Sequence, residues 1–129
     1  MTIISALNGQ GRCRQHLNSA PKRGRVATSI LAVAEIYYGV ENSRRREENL
    51  QRVERELELL DIYPVTPTTA RIYARTRTEA ERAGRTKGPS GKIDLLIAAT
   101  AIENDAVLVT HDAGLLDGAV SGLRVEDWY

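Results

Sequence analysis

The sequence predicts an α/β domain built around a parallel sheet, and three observations carry that expectation. Short apolar runs alternate along the chain with longer segments of helical period, the pattern of strands joined by helical crossovers. Residues 106–110 (Ala-Val-Leu-Val-Thr) form a continuous apolar run, as in a strand covered on both faces. The length, 129 residues, is that of one domain, residues 1–129, able to bury roughly two thirds of the surface its unfolded chain exposes.

Residues 2–7 (Thr-Ile-Ile-Ser-Ala-Leu) are mostly apolar but too few to show a period, and Asn8-Gly9 signals a turn. Residues 11–19 are polar, and residues 21–24 read as a loop. Residues 25–28 read as a short strand. Thr28 or Ser29 then caps a helix beginning Ile-Leu-Ala-Val-Ala-Glu, because a hydroxyl accepts from the open amides of a first turn. Gly39 is expected to end that segment. Ser43 is expected to cap the next helix, with Glu47 near the positive end of its dipole. Leu50, Val53, Leu57 and Leu60 recur there at three and four residues, one apolar stripe for the core or, as the alternative, for a dimer interface. Residues 61–65 are a second short strand.

Thr66-Pro67 is a cap followed by proline at the first helical position. Ala70, Tyr73, Ala74 and Arg77 are expected on one side of this helix, which Gly84 stops. Residues 84–92 (Gly-Arg-Thr-Lys-Gly-Pro-Ser-Gly-Lys) form a basic, glycine-rich loop. Residues 93–104 are the most apolar helix, with Ala98, Ala99 and Ala101 small enough to let it approach a sheet. After the strand at 106–110, residues 112–118 make a turn or short helix, and residues 123–126 a last short strand. Crossovers should be right-handed.

Composition excludes several classes. Lys and Arg number 18 against 17 Asp and Glu, a net charge of +1, so overall charge does not mark a nucleic-acid binder. The lack of Phe, beside five Tyr and one Trp, makes the core aliphatic and leaves few rings for stacking bases. One cysteine, Cys13, gives no disulfide framework or thiolate cluster, and His16 and His111 are too few for a multi-histidine zinc site. This usage fits a reducing, cytoplasmic setting. No apolar run approaches the roughly 20 residues of a membrane span, and no secretory-signal pattern opens the chain.

In an open parallel sheet, ligands gather beyond the carboxyl ends of the strands. Three acids fall where that rule puts a site. Glu35 lies in the first two turns of the helix after residues 25–28, Asp94 opens the apolar helix, and Asp112 follows the strand at 106–110. Carboxylates brought together repel one another, and a divalent cation relieves the repulsion. Oxygen-only ligands select a hard ion, Mg²⁺ or Mn²⁺, which can activate water and stabilise charge on a phosphoryl group. Each acid also has a plainer reading. An acid early in a helix favours its dipole, and an aspartate after a strand forms turns.

Four segments carry a family resemblance. Residues 26–40 (Val-Ala-Thr-Ser-Ile-Leu-Ala-Val-Ala-Glu-Ile-Tyr-Tyr-Gly-Val) look like the second-acid segment of PIN-domain ribonucleases of the VapC toxin type. Residues 91–101 (Gly-Lys-Ile-Asp-Leu-Leu-Ile-Ala-Ala-Thr-Ala) resemble their third-acid helix. Residues 106–112 resemble the strand leading to their fourth polar position, and residues 122–128 (Gly-Leu-Arg-Val-Glu-Asp-Trp) their closing strand. The resemblance implies a three-layer α/β/α sandwich and a metal-dependent endoribonuclease acting on RNA, often tRNA or rRNA. It also implies a homodimer neutralised by a cognate antitoxin. Glu35, Asp94 and Asp112 match three of the family's four acidic positions, and Thr110 a polar position that helps order a metal-bound water.

The family opens with a buried central strand ending in Leu-Asp-Thr-Asn, whose Asp is the first metal ligand. That motif is absent, and residues 1–9 instead resemble the helix that follows it. The expectation is therefore an N-terminally truncated PIN-like domain whose sheet lacks its first, central strand. Each backbone group left buried and unpaired would cost on the order of 1–3 kcal/mol. The missing acid also admits a second reading, a catalytically impaired module that binds an antitoxin without cleaving RNA. A receiver-like signalling domain would need an acidic pair ending its first strand, and none is visible.

Arg85, Lys87 and Lys92 flank the loop before Asp94 and are the candidates for phosphate contacts. Lys22, Arg23 and Arg25 precede the first expected strand. Arg44, Arg45 and Arg46, followed by Glu47 and Glu48, read as a salt-bridged helix surface. His111 reads as a turn residue and Trp128 and Tyr129 as a cap on the core.

Overall fold

The structure is a computed structural model that describes residues 2–4, 26–84, 91–110 and 120–126. The described elements are β1 (Thr2–Ile4), β2 (Val26–Ser29), α1 (Ile30–Glu41), α2 (Arg46–Glu58), β3 (Asp61–Tyr63), α3 (Pro67–Arg82), α4 (Gly91–Glu103), β4 (Val107–Val109) and β5 (Arg124–Glu126). All the strands run parallel in one sheet, in the order β3-β2-β1-β4-β5. The α/β class with a parallel sheet is as expected.

The missing central strand is not. Thr2–Ile4 occupies the centre of the sheet, with Ile3 in register with Ala27 on one side and Leu108 on the other. Three residues, two of them β-branched isoleucines, suffice because both neighbouring strands offer a complete row of amides and carbonyls. The sheet therefore closes without the unpaired edges expected for a truncated fold.

Ser29 ends β2 in extended geometry and caps α1, its hydroxyl accepting from the Leu31 amide at 3.1 Å. Gly39 does not end α1, which continues to Glu41. Ser43 closes this helix rather than opening the next: its hydroxyl donates to the Val40 carbonyl at 2.7 Å and accepts from the Asn49 side chain. α2 starts instead after Arg45, with no side-chain cap but with Glu47 and Glu48 in its first turn. Three of its four stripe residues behave as expected, Val53 and Leu57 being buried against Val33 and Val40 of α1 with Leu50 half-buried beside them; Leu60 falls past the end of the helix at Glu58. Arg45 pairs with Glu48 and Arg46 with Glu41, whereas Arg44 has no partner among the described residues.

Thr66 and Thr69 form a reciprocal capping box at the start of α3. Both hydroxyls also donate to the carboxylate of Glu103 in the last turn of α4, Thr66 at 2.5 Å. A carboxylate at the C-terminus of its own helix is unfavourably placed, but here it lies at the positive end of α3, which compensates. The buried row of α3 is Thr69, Thr76 and Ala80, with Tyr73 half-buried, one position away from the expected Ala70, Ala74 and Arg77 side. Buried threonines are tolerated because their hydroxyls are used locally; that of Thr76 donates to the Tyr73 carbonyl. Arg77 bonds Glu81 at 2.9 Å and the Tyr73 hydroxyl at 3.1 Å, and these two partners push its guanidinium pKa up from an already high value.

α4 carries the core. Leu95, Ile97, Ala98 and Ala101 pack with Ala27, Ala32, Ala106, Leu108 and Val120, and the alanines let helix and sheet approach closely. The helix ends in a Schellman turn: the Ala106 amide donates to the Ala101 carbonyl and the Asp105 amide to Ile102. Asp105 takes the left-handed position, φ 50°, that glycine fills at lower cost. Its exposed bonds to Arg124 offset little of that cost. Asp105→Gly is therefore expected to stabilise the fold by about 1 kcal/mol, read as a higher urea midpoint with unchanged slope. A lower midpoint would show that the Arg124 contacts outweigh the backbone strain.

Candidate active site

The strand order sets the place. From β1 the chain passes to β2 and β3 on one side, then crosses to β4 and β5 on the other. The direction of winding reverses at β1, and the crevice beyond its carboxyl end is where such sheets bind ligands. α1 leaves β2 at that edge, so its first turns lie there. α4 leads into β4, so it runs back along the sheet and its first turn lies at the same edge. The two helices touch.

Topology thus brings Glu35 and Asp94 to one edge of the sheet. Glu35 is exposed and has no hydrogen-bond or ion-pair partner among the described residues. Asp94 is half-buried in the first turn of α4. Thr110 follows β4 at this edge, 3 % exposed, with its amide donating to the Glu126 carbonyl of β5 at 3.0 Å. Lys92 is exposed in the same turn as Asp94. Asp112, Arg85 and Lys87 lie outside the described residues, as do Lys22, Arg23, Arg25, His111, Trp128 and Tyr129.

The donors at this edge are oxygens, as a hard divalent ion requires, and Glu35 has an uncommitted carboxylate to offer. Among the described residues no three acids, histidines or cysteines come close enough to hold an ion; Asp112, the third expected carboxylate, lies outside them. The central strand adds none: no Asp or Glu occurs among residues 1–34.

Ile30 and Ile93 open α1 and α4 with more than a third of their surface exposed. In the sequence they are simply parts of apolar helices. The topology instead puts them on the rim of the crevice, and their position at the first or third residue of a crossover helix is the signal for it.

The PIN domain family matches residues 2–120. This chain belongs to the PIN domain family, within its VapC branch. Ribonuclease VapC2 of Rickettsia felis is 32% identical over 113 residues, covering 88% of this chain and 81% of that protein. The tRNA(fMet)-specific endonuclease VapC of Shigella flexneri is 29% identical over 126 residues, 98% of this chain and 91% of the other. The crystal structure of VapBC2 from Rickettsia felis, bound to a DNA fragment from the promoter, superposes with a TM-score of 0.84 at 27% identity, covering all of both chains. DNA-bound VapBC from Salmonella typhimurium gives 0.83 at 26% identity, over 99% of this chain and 98% of that one. The family resemblance and the PIN-type α/β/α sandwich are therefore as the sequence led us to expect. Among the described residues of this VapC-family chain, no helix is long and apolar enough to cross a membrane.

Proposed function

We propose that this chain is a metal-dependent endoribonuclease, the toxin of a type II toxin–antitoxin pair, which hydrolyses phosphodiester bonds of RNA in the cytoplasm. The supporting observation is that a PIN-family chain carries an acid in the early turns of each of two touching helices, both of which begin at the switch edge of its sheet. Glu35, Asp94 and Asp112 hold Mg²⁺ or Mn²⁺. When bound, that ion supplies an activated water and neutralises charge developing on the phosphoryl oxygens. Asp94 lies in a first turn, where the helix dipole favours negative charge and so supports a ligating carboxylate. The Thr110 hydroxyl orients the attacking water. Arg85, Lys87 and Lys92 hold phosphates beside the cut, and the substrate is tRNA or rRNA. The partners are a cognate antitoxin, as in the VapBC complexes, and a second copy of the chain.

One observation favours the second reading, a PIN module that binds its antitoxin without cleaving. The central strand brings no carboxylate to the crevice. Calorimetric titration with Mn²⁺ separates the two. The nuclease reading expects saturable heat below millimolar metal, weakened about tenfold or more by Glu35→Gln. No heat at millimolar Mn²⁺ leaves the antitoxin-binding module standing.

A further inference from the structure

The exposed face of α1 beyond Glu35 has two features that the packing of this chain does not explain. Tyr38, one of only five tyrosines, is 70 % exposed and makes no hydrogen bond or ring contact with its side chain among the described residues. Gly39 sits inside the helix, where glycine is disfavoured relative to alanine. Close packing does not require it: a Cβ there would meet nothing within 4 Å, and its φ is not in the left-handed region. Glu35, Tyr38, Gly39 and Asn42 stand at i, i+3, i+4 and i+7, so one helix face carries all four. A ring and a bare stretch of backbone therefore adjoin the candidate metal ligand within one helical turn.

We propose that this face is a platform for single-stranded RNA flanking the cut. One base stacks on the Tyr38 ring, and Gly39 lets the sugar-phosphate chain approach the helix backbone. Three further observations favour RNA over a protein partner. The platform is continuous with Glu35. The nearby acid Glu41 is neutralised by Arg46 at 2.9 Å. Arg44, just past the end of α1, is an exposed cation with no partner among the described residues, able to meet a phosphate. Base stacking tolerates any sequence, so the platform would position the strand rather than read it.

The inference rests on the nuclease reading, and the test keeps the two apart. The affinity of a fluorescein-labelled single-stranded RNA for the full chain is measured by anisotropy without divalent metal, where no cleavage runs. Tyr38→Ala is expected to weaken binding at least about fivefold, the low end of losing one stacked base, and Tyr38→Phe to retain it. Gly39→Ala is expected to raise the melting temperature, as alanine does in an open helix position, while weakening RNA binding. That pairing excludes misfolding as the cause. Wild-type chain that binds RNA, with Tyr38→Ala weakening it less than fivefold, overturns the platform alone. The same result with lost self-association in sedimentation assigns the face to a second copy and also overturns it. Wild-type chain that binds no RNA overturns the nuclease reading together with the platform.

Discussion

Asp94→Asn is expected to lower RNA cleavage by at least about 100-fold while leaving the fold in place. The substitution keeps the shape of the side chain and removes its charge. Asn is a poorer ligand for a hard cation, and the crevice loses one of the two carboxylates that the described residues bring to it. The helix-dipole interaction lost with the charge, that of one half-buried carboxylate in a first turn, is worth about 0.3–1 kcal/mol. The readout is cleavage of labelled RNA in Mg²⁺ or Mn²⁺, beside a thermal melt of the same preparation. Undiminished cleavage by the variant would remove Asp94 from the mechanism. Loss of both cleavage and melting cooperativity would assign Asp94 a structural role.

The largest effect on stability is expected at Leu108. Its side chain is fully buried, it lies on the strand beside the central one, and it joins α4 to the sheet through Ala98 and Ala101. Leu108→Ala removes buried methyl groups from a core whose neighbours are mostly alanines, too small to collapse into the gap. A cost toward the upper part of the 2–5 kcal/mol range is expected, lowering the melting temperature by on the order of 10 °C. A shift of only a degree or two would mean that α4 can settle onto the sheet without this side chain.

Much of this architecture is legible in the chain. The Ser29 cap, the Thr66-Pro67 start, the Val53–Leu57 pair and the run at 106–110 each follow from a local rule, and the structure obeys each. The rest depended on partners distant in sequence. Thr2–Ile4 shows no period of its own and becomes a strand only because β2 and β4 flank it. The buried row of α3 is polar by composition, and for Thr69 it is Glu103, 34 residues later, that accepts the buried hydroxyl. Ser43 resembles an N-cap until the Val40 carbonyl takes its hydroxyl. At the crevice, Glu35 and Asp94 drew notice by their places, one in the helix after residues 25–28 and one opening the apolar helix. Tyr38 and Gly39 did not, because an exposed ring and an unfilled space are properties of a surface rather than of a pattern.

The position of β1 has a consequence for how the chain is made. The strand that pairs with its second edge emerges roughly a hundred residues after it, several seconds at the usual pace of translation. During that interval the nascent sheet can extend only toward β2 and β3, with an adhesive seam open beside β1. Nascent chains should therefore be most exposed to chaperones and to proteases just before β4 is translated, and should become resistant abruptly once it arrives.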